Sequence, residues 1–271
     1  MGRPSDEVQE HYSRGEERDR LDSPFGTIEF VRTTEILERQ LPPPPADVAD
    51  VGGGPGRYAL WLAERGYAVR HRDLVALHLE QLAADAGAAG LRIDSRIADA
   101  RELDLEDGSM DAVLLLGPLY HLREQADRVQ ALREAGRVAR PGAPVFAVGI
   151  SRWAPRLHGQ VAERLYEPFP NIAEQLELVE RTGILTPLEP GFFSGYCHTP
   201  DELREEVLAA GLEPVDLVSV EGIAIALADL EQRLAEPADR AVVLAAARDL
   251  ERVPELLGLG PHLLATARRP V

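Results

Sequence analysis

The sequence predicts an α/β fold built on a mostly parallel sheet with helices on both faces. From Asp47 onward, short β-rich runs alternate with helical segments, which is the pattern of βαβ units. The run 111–117 is almost continuously apolar, as expected of a central strand covered on both faces. A glycine-rich turn, Asp50-Val51-Gly52-Gly53-Gly54-Pro55-Gly56, joins the first strand to the first helix of this region.

The first 45 residues precede the predicted sheet. Residues 1–41 are polar and helix-forming, and Ile28, Val31 and Ile36 recur at roughly helical spacing. The prolines at 42–45 then stop any helix. We therefore predict that residues 1–45 form an N-terminal helical cap and a stiff proline-rich connector.

Residues 46–150 carry the βα alternation and form the predicted core. We place strands near 47–51, 67–73, 91–98, 111–117 and 143–150, and helices over 56–65, 75–88 and 122–139. The second strand is the least typical of them, because Arg70, His71 and Arg72 are unusually polar for a buried strand.

The βα rhythm breaks after Ile150. Residues 151–198 form an insertion with aromatic residues, which we interpret as an ordered lid over a functional site. Thr199-Pro200-Asp201-Glu202 is a good helix start. The C-terminal part of the core, 199–271, adds strands near 213–221 and 262–268, with helical sequence from about 227 to 256 between them.

Composition excludes several functions. The net charge of −17 would repel a phosphate backbone, so we expect no nucleic-acid partner. All 29 basic residues are arginine, which excludes Schiff-base lysine chemistry and a Walker lysine. The single Cys197 predicts no internal disulfide, and no Cys/His spacing suggests a metal site. With neither a signal peptide nor an apolar membrane span in view, we expect a cytoplasmic monomer or homodimer without a membrane partner.

The glycine turn predicts a ligand site at a strand–helix junction. Glycine permits positive φ and close approach of backbone to a ligand, and a helix N-terminus offers unpaired N–H groups. A merely structural turn is the alternative. Arg57 stands where a dinucleotide-binding G-x-G-x-x-G motif needs its third glycine, which disfavours a nicotinamide cofactor.

The stretch Asp50-x-Gly52-x-Gly54-x-Gly56 resembles the first motif of the class I S-adenosylmethionine-dependent methyltransferases, and the resemblance continues over residues 46–150. It implies a Rossmann-like, seven-stranded sheet, S-adenosylmethionine as cofactor and S-adenosylhomocysteine as product. In that family the loop packs against the methionine portion and ribose of the cofactor. The implied cofactor contacts here are Asp50, Gly52, Gly53, Gly54 and Gly56.

Two acids follow the next predicted strands. The resemblance implies that Asp73, with the neighbouring Leu74, holds the ribose hydroxyls, and that Asp99 and Ala100 contact the adenine. A helix cap at Asp73 and a turn-forming Asp99 are the alternatives. Because carboxyl ends of parallel strands meet at one sheet edge, we expect both acids to lie near the glycine turn.

The segment Leu116-Gly117-Pro118-Leu119-Tyr120-His121-Leu122 looks like the Gly-Pro-Leu-Tyr-His-Leu segment of a bacterial subgroup of that family. The strand end abuts the transferable methyl group in such folds, so Leu116 is an expected cofactor contact. Tyr120 and His121 become candidates for catalysis or substrate contact. Helix capping or packing explains either ring equally well.

The end of the lid offers a second set of candidates. His198 could serve as a general base if the acceptor must lose a proton, although a structural role is the stronger alternative. Tyr196, Trp153 and Arg152 are candidate substrate contacts, and Cys197 is expected to pack.

The N-terminal cap contributes further candidates. Tyr12, Arg14 and Arg20 could close over the cofactor, with Tyr12 as a direct contact, or simply belong to a solvated helix. Glu29 and Arg32, three residues apart, are interpreted as a surface pair.

These features predict a methyltransferase acting on a small molecule, in bacterial specialised metabolism, by direct displacement within a closed pocket. Three alternatives stay open at this point. The chain could use the same cofactor for cyclisation or another alkyl transfer, act as a nicotinamide-dependent oxidoreductase, or bind the cofactor without turnover.

Overall fold

The computed structural model describes Tyr12, residues 23–189 and residues 194–271. Nine strands in these ranges join one mixed, mostly parallel sheet. Their bounds are Asp47–Val51 (β1), Ala68–Asp73 (β2), Asp94–Ile97 (β3), Ala112–Leu115 (β4), Pro144–Ser151 (β5), Ile184–Leu185 (β6), Gly195–His198 (β7), Glu213–Ser219 (β8) and His262–Arg268 (β9).

Strands β3, β2, β1, β4 and β5 lie side by side in that order and all run parallel. Strand β9 is antiparallel to β5, and β8 is antiparallel to β9. The carboxyl end of β8 and the start of β9 therefore lie at the same sheet edge as the carboxyl end of β5. The carboxyl ends of β1, β2, β3 and β4 lie at this edge as well.

The helices alternate with the strands as predicted for βαβ units. Their bounds are Pro24–Glu38 (α1), Arg57–Glu64 (α2), Ala76–Ala88 (α3), Pro118–His121 (α4), Gln125–Val138 (α5), Ile172–Thr182 (α6), Pro200–Ala209 (α7), Leu230–Ala235 (α8) and Pro237–Leu250 (α9). A π-helix spans Pro155–Ala162, and 3₁₀ turns span Gly222–Ala226 and Pro254–Leu256. No helix in the described ranges is long and apolar enough to cross a membrane.

Two apolar cores, one on each face, hold the sheet between helices. Along β4, Val113 and Leu115 belong to the core that packs against α5 and α7. Ala112 and Leu114 belong to the core that packs against α1, α2 and α3. This alternation is the period of two expected of a strand, and it explains why the sequence of β4 is apolar throughout.

The predicted fold class is confirmed, and two details are corrected. The seven predicted strands become nine, because the short β6 and β7 pair where the lid returns to the core. The helix predicted over 122–139 begins later, at Gln125, because Leu122 is extended, and the short helix α4 precedes it at 118–121, where no helix was predicted.

The polar sequence of β2 has a clear structural cause. Arg72 is buried and donates to the carbonyl oxygens of His71 and Asp94, while its Nε binds Asp104. His71 is also buried, and its Nε2 lies 3.0 Å from the carbonyl oxygen of Gly54. These side chains hold the sheet edge and the glycine turn in place instead of facing solvent.

Candidate active site

The glycine turn between β1 and α2 has the backbone that its sequence predicts. Gly52, Gly54 and Gly56 have φ values of +65°, +57° and +87°, a region that residues with a Cβ rarely adopt. Gly56 is the N-cap of α2. The turn therefore presents main chain, and no bulky side chain, at the start of the helix.

A cavity, here called the first cavity, opens beside this turn at the carboxyl ends of β1, β2, β3 and β4. The structure brings most of the predicted residues together in its wall. These are Tyr12, Gly52, Gly53, Gly54, Asp73, Leu74, Asp99, Ala100, Leu116, Tyr120 and His121. Arg14 and Arg20 lie outside the described residues.

Asp50 and Gly56 are not in the wall of the first cavity; they support the turn from behind. Asp50 is fully buried, and a Cβ on Gly53 would lie 2.4 Å from its Oδ2. Burial, together with the nearby Asp73 carboxylate, raises the pKa of Asp50 to about 7. A Cβ on Gly56 would lie 2.4 Å from Cδ1 of Leu82. Both positions fix the shape of the turn.

Asp73, at the end of β2, is held by three donors. Its carboxylate accepts hydrogen bonds from the backbone N–H groups of Gly54 and Val75, at 2.9 and 2.8 Å, and lies 3.1 Å from Nδ1 of His78. Burial alone would raise the pKa of this carboxyl, but the bonds from His78 and Val75 outweigh it and hold the pKa below the ordinary value. Asp73 is thus an oriented anion in the wall.

Asp99, after β3, forms a two-point ion pair with Arg101. Its oxygens accept from Nε and Nη2 of Arg101 at 3.0 and 2.6 Å, and Arg101 also binds Asp127 at 2.9 Å. Burial raises the pKa of Asp99, but these bonds to Arg101 lower it by more. The carboxylate that the sequence assigns to adenine is therefore already positioned by a neighbouring guanidinium.

Aromatic rings form the other side of the first cavity. The hydroxyl of Tyr12 lies 2.8 Å from Nε2 of His121, and the Tyr12 ring meets the rings of His121 and His78 edge to face at 5.3 and 5.2 Å. Tyr120 lies against His121, with ring centroids 4.8 Å apart. Tyr12 thus links the N-terminal region to the segment after β4.

A second cavity of about 690 Å³ lies against the segment 151–198, which the sequence predicts to be a lid. Small-molecule pockets typically measure about 300–1,000 Å³ and are mainly apolar. Its wall includes Phe25, Ile150, Ala154, Leu165, Leu176, Leu188 and Ile225, together with His158 and His262. His262 belongs to the walls of both cavities, so the two spaces border the same residue.

The predicted residues at the end of the lid lie elsewhere. His198 is fully buried, with Nε2 3.2 Å from Glu206, and burial lowers its pKa. Arg152 is also buried, and Tyr196 lies between Arg152 and Arg128. None of these three residues lines either cavity. This placement favours the structural alternative for His198.

Trp153 and Cys197 complete the candidates from this region. Trp153 is 43% exposed and lies outside both cavity walls, close to Gly258. Cys197 is fully buried in β7, and burial raises the pKa of its thiol to about 12. A thiol held protonated in this way is inert, in keeping with the packing role expected of it.

Among the wall residues that the sequence did not predict as part of the site are His78, Glu29 and His262. His78 could have been found from its position five residues after Asp73, in the first turn of α3, because this spacing brings the histidine close to the carboxylate. The interpretation of Glu29 and Arg32 as a surface pair is wrong, because both are buried. Arg32 instead binds Glu35 and Glu251, and Glu29 faces the first cavity.

The first cavity suits the cofactor that the resemblance implies. Carboxylates at Asp73 and Asp99 can accept hydrogen bonds from ribose hydroxyls and an exocyclic amine, and Leu74, Ala100 and Leu116 offer apolar contact to a purine. Nε2 of His78 is a buried atom without a hydrogen-bond partner in the described part of the chain. Buried polar atoms are nearly always hydrogen-bonded, so a polar group of a bound ligand could form this missing bond.

Comparison with known proteins agrees with this assignment. The methyltransferase domain family matches residues 48–142. An uncharacterized methyltransferase of Mycobacterium bovis is 30% identical over 190 residues, which cover 64% of this chain and 75% of that protein. The ubiquinone/menaquinone biosynthesis C-methyltransferase UbiE of Acidiphilium cryptum is 33% identical over 142 residues, 51% of this chain and 54% of its own length.

The match to that C-methyltransferase thus spans only about half of the relative. Among solved structures, a SAM-dependent methyltransferase from Methanosarcina mazei superimposes with a TM-score of 0.60. The superposition covers 87% of this chain and 97% of that one at 18% identity, a likeness of fold. The chain belongs to the class I S-adenosylmethionine-dependent methyltransferases.

Proposed function

We propose that this protein transfers the methyl group of S-adenosylmethionine to a small, largely apolar acceptor held in the second cavity. The observation that carries the proposal is that both cavities border His262. A ligand in the second cavity would lie next to the space that Asp73, Asp99 and the glycine turn enclose. A macromolecular acceptor would not fit beneath the lid.

The composition of the second cavity supports this acceptor class. Leu165, Leu176 and Leu188 come from the lid and its helices, Phe25 comes from α1, and Ile150 comes from the end of β5. Apolar walls with a few polar groups are typical of small-molecule sites. The net charge of −17 further disfavours a nucleic-acid acceptor.

The chain's own residues bind, orient and exclude water. Bound S-adenosylmethionine supplies an electrophilic methyl group. Asp73 and Asp99 fix the position of the nucleoside portion, and Leu116, Tyr120 and His121 border the place where the acceptor is expected. Holding two reactants in contact within a dry site provides most of the rate in a displacement of this kind.

The direct test is incubation with methyl-deuterated S-adenosylmethionine and a panel of small acceptors, including phenols, amines and isoprenoid alcohols, followed by mass spectrometry. We expect a product that carries the label. Binding of S-adenosylhomocysteine together with an unlabelled, rearranged product would show cyclisation instead. Calorimetric binding of NAD(P) in place of S-adenosylhomocysteine would overturn the cofactor assignment.

The acceptor cavity has its own test in Leu176, which is buried in its wall. We expect Leu176→Trp to fill the space and raise KM for the acceptor at least tenfold, while affinity for S-adenosylhomocysteine stays unchanged. Leu208→Trp is the matched control, because Leu208 is 58% exposed and outside both cavities. Equal losses in the two variants would remove the second cavity from the proposal.

The finer assignments complete the proposal. We place the enzyme in the bacterial subgroup with the Gly-Pro-Leu-Tyr-His-Leu segment, in specialised metabolism. We also propose that the protein is cytoplasmic and is a monomer or a homodimer. We propose that residues 1–45 form the N-terminal cap, residues 46–150 the core, residues 151–198 the lid and residues 199–271 the rest of the core. Sedimentation of the purified chain would distinguish monomer from dimer.

A further inference from the structure

We propose that His262, positioned by Glu221, is the general base that removes a proton from the acceptor. This inference rests on the proposed methyl transfer and narrows the acceptor to a group that must lose a proton, such as a hydroxyl or an ammonium. It assigns to His262 the role that the sequence suggested for the buried His198.

The position of His262 is the first step. It is the first residue of β9 and is paired in register with Ile150, which lines the second cavity. Its side chain borders both cavities. An acceptor atom that approaches the first cavity from the second therefore passes this imidazole.

Glu221 fixes the orientation and the tautomer of the imidazole. It is fully buried, just beyond the end of β8, and its Oε1 lies 2.5 Å from Nδ1 of His262. Its Oε2 accepts the backbone N–H of the same residue at 3.2 Å. Because a carboxylate accepts at Nδ1, this nitrogen carries the proton, and Nε2 becomes the basic nitrogen of the ring.

The backbone around Glu221 and His262 is hydrogen-bonded and closely packed. The backbone N–H of Val220 donates to the carbonyl oxygen of His262, and the N–H of Ser151 donates to that of Pro261. A Cβ on Gly260 would lie 2.6 Å from Oγ of Ser219 and 3.4 Å from Oε2 of Glu221. The backbone of His262 is thus fixed by its neighbours, and Glu221 orients the ring.

The charges around the ring favour proton uptake. A carboxylate oxygen of Glu29, on α1, lies within 4.8 Å of the corresponding atoms of Glu221 and His262. Two carboxylates stabilise the imidazolium cation that forms. His158 in the π-helix also faces this site and would oppose protonation of His262 if it were charged. Burial lowers the pKa of His158, so it is neutral near pH 7.

Proton transfer to His262 accompanies methyl transfer to the acceptor. The acceptor O–H or N–H bond breaks, its proton goes to Nε2 of His262, and its electron pair stays on the acceptor atom. That atom forms the new bond to the methyl carbon, and the electrons of the broken carbon–sulfur bond remain on sulfur. The proton then leaves the imidazolium to solvent.

The acceptor-independent test is nitrogen NMR on protein labelled with ¹⁵N-histidine and saturated with S-adenosylhomocysteine. We expect the His262 signals, assigned by their loss in His262→Gln, to show a protonated Nδ1 and an unprotonated Nε2. Glu221→Gln should shift this tautomer. A neutral ring that carries its proton on Nε2 instead of Nδ1 in the wild type would overturn the proposal, whether or not an acceptor is known.

The kinetic test uses the acceptor found in the labelled-cofactor panel and derivatives of graded acidity. General bases contribute about 10²–10⁴-fold, so His262→Gln and Glu221→Gln should lower kcat within that range. The acceptor KM and the affinity for S-adenosylhomocysteine should stay unchanged. The loss should shrink with acceptors acidic enough to ionise unaided, and the acidic limb of the kcat–pH profile should disappear in His262→Gln.

Glu213→Gln, at the exposed far end of β8, is the matched control and should leave kcat unchanged. Equal loss with acceptors of every acidity would show that His262 is only structural. Activity abolished by EDTA and restored by a divalent cation would reassign Glu29, Glu221 and His262 to a metal. If the wild-type protein binds S-adenosylhomocysteine but labels no acceptor, the proposed methyl transfer is contradicted. The NMR experiment still tests separately whether Glu221 holds His262 in the tautomer with a basic Nε2.

Discussion

Asp99 illustrates at the scale of one residue how two partners share a carboxylate. Arg101 already donates two hydrogen bonds to the carboxylate of Asp99, and this carboxylate also lies in the wall of the first cavity. A carboxylate has about four lone-pair positions, so both demands can be met. The ion pair keeps the side chain in one orientation before any ligand arrives.

We therefore expect Asp99→Asn to weaken S-adenosylhomocysteine binding by about 2 kcal/mol, roughly 30-fold, because a charge-assisted hydrogen bond becomes a neutral one. Calorimetry measures this directly. The control is Asp127→Asn, which removes the other partner of Arg101 from outside the first cavity. Equal losses in both variants would mean that Asp99 acts only by holding Arg101.

At the scale of elements, one buried ion pair joins α5 to α7. Nε of Arg128 lies 3.0 Å from both oxygens of Glu206, and Nη1 donates to the carbonyl oxygens of Leu122 and Arg123. The guanidinium lies 3.6 Å from the ring centre of Tyr196. Helices α5 and α7, the lid end and His198 thus share one polar cluster.

Glu206→Gln should reduce the free energy of unfolding by about 3–5 kcal/mol, because it leaves the buried Arg128 cation without its counter-charge. Urea unfolding followed by circular dichroism gives the value. Asp201→Asn removes the exposed pair with Arg204 on the same helix and should change stability by less than about 0.5 kcal/mol. A similar small effect at Glu206 would show that the cluster contributes little.

At the scale of the whole molecule, buried histidines make stability depend on pH. Burial lowers the pKa of His71, His158 and His198, so the unfolded chain binds their protons more readily than the folded one. Their contribution to stability is complete above the unfolded value of about 6.5 and is lost as the pH falls below it. Asp50 opposes this loss, because its raised pKa makes the folded state bind a proton below about 7.

We expect the three histidines together to outweigh Asp50, so that the free energy of unfolding falls between pH 7 and pH 5.5. Each fully unmatched proton contributes up to about 1.4 kcal/mol per pH unit. Urea midpoints measured across this range test the sign. His198→Gln should flatten the dependence, and a midpoint that rises on acidification would contradict the assignment.

The sequence by itself determined most strands of the core and the glycine turn. β1 and β9 have the predicted bounds, and the acids after β2 and β3 reach the first cavity. These features follow from local rules. The spacing of apolar residues along the sequence indicates a strand, and glycine permits the positive φ angles of the turn. Parallel strands place their carboxyl ends at the same edge of the sheet.

Only the tertiary structure decided which polar residues belong to the site. His262 and Glu221 are 41 positions apart and meet because β8 and β9 pair antiparallel. Glu29 reaches the first cavity because α1 packs against the sheet. His198 precedes the predicted helix start at Thr199, but it is buried against Glu206 of α7. Local patterns cannot distinguish these histidines, because burial and pairing depend on the free energy of packing summed over distant parts of the chain.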